Sequence, residues 1–208
     1  MHFIDQIISG LSAVILWMIN HFGYAGIVLA MTIESACIPL PSEIIMTFAG
    51  FLVSEGVFNL TGVTLAGAAG NLFGSWLAYL AGRYGGRSFL ERYGRYFFAS
   101  PKELAKADQW FSRYGEMTVF LTRLLPVIRT FISLPAGISK MKFFRFSFYS
   151  FAGSVPWCLG LALVGKLLGS RWREIGPVFH QFDFIVIIAL IAALFWIRRS
   201  QVAKKVSE

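Results

Sequence analysis

The stretch that decides the fold is GEMTVFLTRLLPVIRTFISLPAG, residues 115–137. It is apolar enough for a membrane segment, yet it carries Arg123 and Arg129 with Pro126 between them and Pro135 and Gly137 beyond. A proline inside a helix removes a backbone hydrogen bond and clashes with the preceding turn. A guanidinium at bilayer depth costs at least about 3 kcal/mol. Residues 23–56 have the same character with the opposite charge: Glu34, then Pro39-Leu-Pro41-Ser42-Glu43, then Ala49-Gly50.

The surroundings of these stretches are those of a membrane protein. Of 208 residues 56% are hydrophobic and 14% charged, against about a quarter charged in an ordinary soluble domain. Mean hydropathy is +0.64. The net charge of +8 is the excess of lysine and arginine expected in cytoplasmic loops, and no nucleic-acid partner is expected. The N-terminus, MHFIDQ, has no basic residue before its apolar stretch, so it is read as retained and not as a signal peptide. Cys37 and Cys158 lie in apolar segments and make no disulfide framework. His21 and His180 flank segments at expected interfaces.

Outward from the two broken stretches lie more regular segments. Residues 4–22 are mostly apolar and either span or lie in the interface. Residues 61–82, 146–169 and 179–197 read as spanning helices. Gly70 with Gly74, and Gly82 with Gly86, have the spacing that lets helices approach closely; such faces suit a homodimer without requiring one. Residues 86–114 interleave Arg87, Arg92, Arg95, Lys102, Lys106 and Arg113 with aromatics. They read as basic amphipathic helices on an anionic membrane face, with anionic lipids as partners. Ser100-Pro101-Lys102-Glu103 is a helix start, with Ser as N-cap and Glu three residues on.

The positive-inside rule then sets the topology. The basic segment from Arg83 to Arg113 and the C-terminal tail with Arg198, Arg199, Lys204 and Lys205 are expected in the cytoplasm. Lys140, Lys142 and Arg145 belong there too, so residues 116–137 enter and leave on one side. Residues 23–56 do the same from the outside if 4–22 span. The expected fold is an all-α polytopic membrane protein with two re-entrant hairpins whose tips meet in the interior, where irregular backbone is tolerated.

The halves also repeat. Pro39 and Ala49-Gly50 match Pro126 and Ala136-Gly137 at the same spacing; Ala69-Gly70-Asn71, Gly82 and Gly86 match Ala152-Gly153-Ser154, Gly165 and Gly169. A hairpin followed by a spanning helix, used twice in opposite orientation, is the inverted repeat of secondary transporters, with the substrate site at the repeat interface.

Four embedded charges need partners or a wet cavity. Mutual pairing that only holds the hairpins together is the bland account; apolar packing would serve that end as well. The functional account assigns roles. Arg123 and Arg129 converge as a fork for a phosphate. Glu34 and Glu43 take up and release protons, because burial disfavours the ionised form. Ser42, Asn71 and Ser133 add polar groups at similar depth, and Pro39, Pro41, Pro126 and Pro135 keep the hairpins broken. Asn71 also suits a plain helix–helix hydrogen bond. There is no metal constellation, nucleophile elbow or P-loop in the sequence, and Ser42 and Ser133 lack a histidine at motif spacing, so neither a cofactor nor an enzyme activity is expected.

Three blocks in order resemble the DedA family, also called the VTT or SNARE-associated membrane domain. They are Glu34 with Pro39-Leu-Pro41-Ser42-Glu43 and Ala49-Gly50; Gly70-Asn71 through Tyr79 to Gly82-Arg83-Tyr84-Gly85-Gly86; and Phe120-Leu-Thr-Arg123-Leu-Leu-Pro126-Val-Ile-Arg129 with Pro135-Ala-Gly137 and Met141. The resemblance covers about residues 20–170. It implies a bacterial cytoplasmic-membrane lipid transporter that returns undecaprenyl phosphate from the outer to the inner leaflet for cell-envelope recycling, with dependence on the proton motive force. It places the family's important acids on Glu34 and Glu43 and its arginines on Arg123 and Arg129. Many members have Pro-Gly-Asp where this chain has Pro41-Ser42-Glu43, an acid one methylene longer. Other readings are a phosphatidylethanolamine translocase, a proton-coupled small-ion or drug antiporter, and a non-transporting membrane assembly factor.

Overall fold

The computed structural model describes residues 2–36, 42–86, 101–125 and 128–174. Every regular element among them is helical. Helix α1 is His2–Phe22, α2 Tyr24–Ser35, α3 Ser42–Ser54 and α4 Leu60–Ala81, the last continuing into a π-helical turn, Gly82–Gly86. Helix α5 is Pro101–Thr122, α6 Ile128–Phe131, α7 Ser133–Ile138 and α8 Phe143–Leu168, which ends in a 3-10 turn, Gly169–Glu174. The expected helix at 179–197, the expected basic segment up to residue 100, and Pro39, Pro41 and Pro126 lie outside the described residues.

The breaks follow local chemistry. Gly23 separates α1 from α2 at φ 59°, a conformation glycine adopts without penalty. Asn59 caps α4, its Oδ1 accepting from Gly62 N at 2.5 Å, the usual service of an asparagine at that position. Pro156 sits inside α8 without ending it. Among the described residues one helix, Phe143–Arg171, has the length and apolarity to cross a membrane; Tyr24–Ser35, Ser42–Ser54 and Ile128–Ile138 are shorter apolar helices. Helix α4 has 22 residues, about 33 Å at the helical rise, but is diluted by glycine, serine and Asn71.

One feature bears on the expected segmentation. Helix α5 runs unbroken from Pro101 to Thr122, so no helix end marks the expected boundary between 114 and 116. Gly115 sits buried within it against Phe111 and Met141, where packing outweighs glycine's low propensity. Between residues 128 and 138 the chain forms two short helices, α6 and α7.

The arms of each broken segment lie on the long helices. Helix α2 packs chiefly on α4, and α3 on α8. The α3–α8 contact is so close that a Cβ on Gly50 would lie 2.1 Å from the Ala162 carbonyl oxygen, and one on Gly165 would lie 2.0 Å from that of Thr47. Helix α7 lies on α4 in the same way: a Cβ on Gly137 would meet the Tyr79 oxygen at 2.1 Å, and one on Gly82 the Leu134 oxygen at 2.3 Å. The registers agree. Gly137 and Leu134 lie 87 residues after Gly50 and Thr47, and Ala162 and Gly165 lie 83 after Tyr79 and Gly82. Thr47 and Gly50 of α3 thus meet α8 as Leu134 and Gly137 of α7 meet α4, at equal spacings along the chain.

The apolar core has two parts. One joins Ile15, Ile19, Ile27, Met31, Ile45 and Met46 to Cys158 and Ala162. The other gathers Val119, Ile132, Ala136, Met141 and Phe146 around Tyr79. The charged cluster lies between elements of both.

Candidate functional site

Arg123, in the turn after α5, is 1% exposed. Three of its hydrogen bonds go to neutral oxygens on three elements. Nη1 donates to Asn71 Oδ1 of α4 at 2.8 Å, and Nη2 to Ser133 Oγ of α7 at 2.8 Å and to Ser150 Oγ of α8 at 2.9 Å. Ser154 Oγ donates to the same Asn71 oxygen at 2.9 Å. Asn71 and Ser154 are 83 residues apart, the same spacing that separates Tyr79 from Ala162 and Gly82 from Gly165. Gly153 makes room: a Cβ there would lie 2.8 Å from Arg123 Cβ.

Arg129, on α6, is 2% exposed and its Nη2 donates to Glu34 Oε1 of α2 at 2.8 Å. Thr130 Oγ1 donates to the same oxygen at 3.2 Å, and Ser35 Oγ to Glu34 Oε2 at 2.8 Å. The Arg129 guanidinium lies over the Trp157 ring, 5.1 Å from its centroid. Glu43 is buried in the first turn of α3, where the helix dipole favours negative charge, and it lies within electrostatic reach of Arg129. Ser42 is buried beside it in sequence and Pro135 is partly buried in α7. Cys158 lies within reach of Arg129, Glu34 and Arg123, which makes the four charges and this thiol one neighbourhood.

The two arginines do not present one open fork. Arg123 is held by an amide and two hydroxyls, and Arg129 by a carboxylate and an aromatic face. The difference arises because Ser150 meets Arg123 and Trp157 meets Arg129, while Ser154 holds Asn71 and Thr130 and Ser35 hold Glu34. Ser154 was legible as the repeat match of Asn71, and Ser150 lies one helical turn before it. Nothing in the sequence marked Trp157.

Two buried donors in this neighbourhood, Arg129 Nη1 and Trp157 Nε1, make no hydrogen bond among the described residues. Buried N–H groups of native proteins are normally paired, and an unpaired one costs about 1–3 kcal/mol. Formally the cluster balances two guanidiniums against two carboxylates. An anion bound there adds uncompensated negative charge unless a carboxylate takes a proton or moves away. Among the described residues no group of three or more His, Cys, Asp or Glu side chains is placed to hold a metal ion.

Comparison with known proteins gives the chain a family. The VTT domain matches residues 40–167, which contain all of these groups except Glu34 and Ser35. The chain is 39% identical to the uncharacterized membrane protein YkoX of Bacillus subtilis, over 81% of this chain and 75% of that one. It is 33% identical to undecaprenyl phosphate transporter A of Bacillus subtilis, over 94% and 97% of the two chains. It is 31% identical to an alkaline phosphatase-like protein of Lactococcus lactis subsp. lactis, over 85% of each chain. No solved structure matches. A match of this extent around a buried arginine–glutamate cluster identifies the chain as a membrane protein of the VTT-domain, or DedA, family.

Proposed function

We propose that this protein carries undecaprenyl phosphate across the bacterial cytoplasmic membrane, from the outer to the inner leaflet, with protons moving through Glu34 and Glu43. The observation that carries the reading is the pair of fully buried guanidiniums, one with a buried N–H left over beside Trp157 Nε1. A phosphate headgroup supplies acceptors for both donors and a counter-charge for Arg129. The name of the Bacillus relative, aligned over nearly the whole of both chains, supports the same substrate. The polyprenyl tail stays in lipid, so a small polar site suffices.

Charge balance supports coupling. Glu34 carries the counter-charge of Arg129. A phosphate that takes over Arg129 supplies that counter-charge itself and leaves the displaced carboxylate unpaired in the interior, where an unpaired charge is costly. A proton moving with the phosphate offsets that charge, and release of the phosphate restores the pair.

The matching contacts of α3 on α8 and of α7 on α4 support an inverted repeat of two hairpins. In this arrangement the arms re-enter the bilayer from opposite faces, the C-terminus is cytoplasmic, and the charged tips form the site at the repeat interface.

The test is reconstitution in liposomes with a leaflet-specific readout of undecaprenyl phosphate, with and without a pH gradient. Movement above protein-free vesicles, lost in Arg123→Lys and in Glu43→Gln, is the expected result. Lysine offers one ammonium where three acceptors are arranged around a planar fork. No movement, or retention of full activity in both variants, overturns the reading. Release of inorganic phosphate from the lipid would point instead to hydrolysis.

A further inference from the structure

Apart from the arginine cluster, a cavity of about 890 Å³ opens between the middle of α5, the turn after α7 and the start of α8. Four cations line it, Arg113, Lys140, Lys142 and Arg145, against a single carboxylate, Glu116. Glu116 accepts from Arg145 Nη1, which ties α5 to α8 across the cavity. The remaining lining is largely apolar and includes Met117, Phe120 and Tyr149. The cavity is therefore amphipathic: a formal charge of +3 beside an apolar wall.

Its position suits a lipid. Helix α8 has the length and apolarity of a membrane span, and this cavity is at its first two turns. Phe144 and Phe148, in those turns, are 87% and 68% exposed, as expected of side chains that face lipid at headgroup depth.

The backbone adds a second observation. Helix α7 ends with Met141 N donating to Ala136 O at 3.1 Å and Lys140 N donating to Gly137 O at 3.0 Å. This is the two-bond helix stop whose left-handed position is usually glycine. Here that position is Lys140, at φ 53°, the only non-glycine residue with positive φ among the described residues. A side chain kept at a strained position points to a use for it. The turn is also held in place: Tyr79 Oη donates to the Met141 carbonyl and accepts from Arg83 Nη1 at 2.7 Å.

We propose that this cavity is a second lipid site, binding the phosphate headgroup of an anionic lipid on Lys140, Lys142 and Arg113, with the first part of its chain along Phe120 and Tyr149. Phe120 lies one turn before Arg123, and Tyr149 is next to Ser150, which holds Arg123. The two sites are thus neighbours along α5 and α8. The chemistry has two sources: the transported polyprenyl phosphate on arrival at the basic face, or a resident phospholipid of that leaflet. The first source rests on the proposed transport; the second does not.

The test measures lipid retained by the purified chain in detergent, by native mass spectrometry. The probes are undecaprenyl phosphate and dioleoyl phosphatidylglycerol, with dioleoyl phosphatidylcholine, a zwitterion of zero net charge, as the control. Lys140→Gly relieves the backbone while removing the charge. The expected result is an unfolding temperature at or above the parent's together with about a tenfold or greater loss of affinity for a phosphate lipid. Lys142→Gln loses affinity likewise, and Lys140→Arg retains it. Loss for undecaprenyl phosphate alone assigns the site to the transported lipid; loss for both probes assigns it to anionic lipids generally. Unchanged affinity for both in Lys140→Gly and Lys142→Gln overturns the proposal, as does equal loss for phosphatidylcholine. Vesicles that move no undecaprenyl phosphate would sink the transport reading while leaving the phosphatidylglycerol result intact.

Discussion

Replacing Glu34 by Gln changes one atom and removes one charge from the centre of the protein. In the parent, Glu34 receives Arg129 Nη2 at 2.8 Å, Thr130 Oγ1 at 3.2 Å and Ser35 Oγ at 2.8 Å. Both ionic side chains are nearly inaccessible, at 2% and 6%. Salt screening and exposure, which reduce surface pairs to a few tenths of a kcal/mol, do not apply. Glu34→Gln leaves Arg129 charged in a low-dielectric site, and breaking a buried pair on one side costs about 3–5 kcal/mol. Arg129→Gln should cost a similar amount by stranding Glu34. The double variant strands neither charge, so its cost falls well below the sum, with a coupling energy of about 1–3 kcal/mol. The assay is denaturant unfolding in micelles for the four proteins of the cycle. Additivity within about 0.5 kcal/mol would refute a direct Arg129–Glu34 pair and the charge-exchange step built on it. The same cycle separates stability from function: the double variant should fold and yet move no lipid.

Three further outcomes follow from the geometry. Trp157→Phe keeps an aromatic face under Arg129 but deletes the buried Nε1–H; transport should fall about tenfold, the worth of a hydrogen bond to a charged group, with unfolding little changed. Gly50→Ala and Gly137→Ala each force a methyl to about 2.1 Å from a backbone oxygen, so both should destabilise by an amount typical of overpacking, about 1–3 kcal/mol or more, and a large difference between them would contradict the matched packing of the two arms. Arg145, by hydrogen bond and by charge, together with the Tyr149 hydroxyl, holds the Glu116 carboxyl below its ordinary value of 4.5. A depressed carboxyl contributes stability that is present above its unfolded value and is lost as pH falls through the folded one. Amide protection around residues 113–119, with the intrinsic pH dependence of exchange divided out, should therefore be constant at neutral pH and fall only below about pH 4.5, and Glu116→Gln should abolish that acid-dependent loss.

What could be read from the sequence and what could not divide along a physical line. Long apolar runs, prolines and embedded charges are local properties, and they sufficed for an all-helical membrane protein. The spacing of Ala49-Gly50 with Ala136-Gly137, and of Asn71 with Ser154, was visible as a repeat because it needs only counting along the chain. Burial of Arg123, Arg129, Glu34 and Glu43 followed from the cost of leaving them in lipid. Their partners did not. Whether Arg123 meets an anion, a carboxylate or a set of hydroxyls depends on which faces of α4, α7 and α8 turn inward, and that is settled by packing between segments far apart in sequence. Tertiary structure therefore gave the two arginines different protein partners, Arg123 to Asn71, Ser133 and Ser150 and Arg129 to Glu34. It also brought in Trp157, an ordinary apolar residue by sequence. And it carried α5 through Gly115 without a break, because a buried glycine against Phe111 and Met141 is held by packing that no local propensity contains. The broken stretch at residues 115–137 announced that charge is housed inside this protein; only the fold decided what each charge touches.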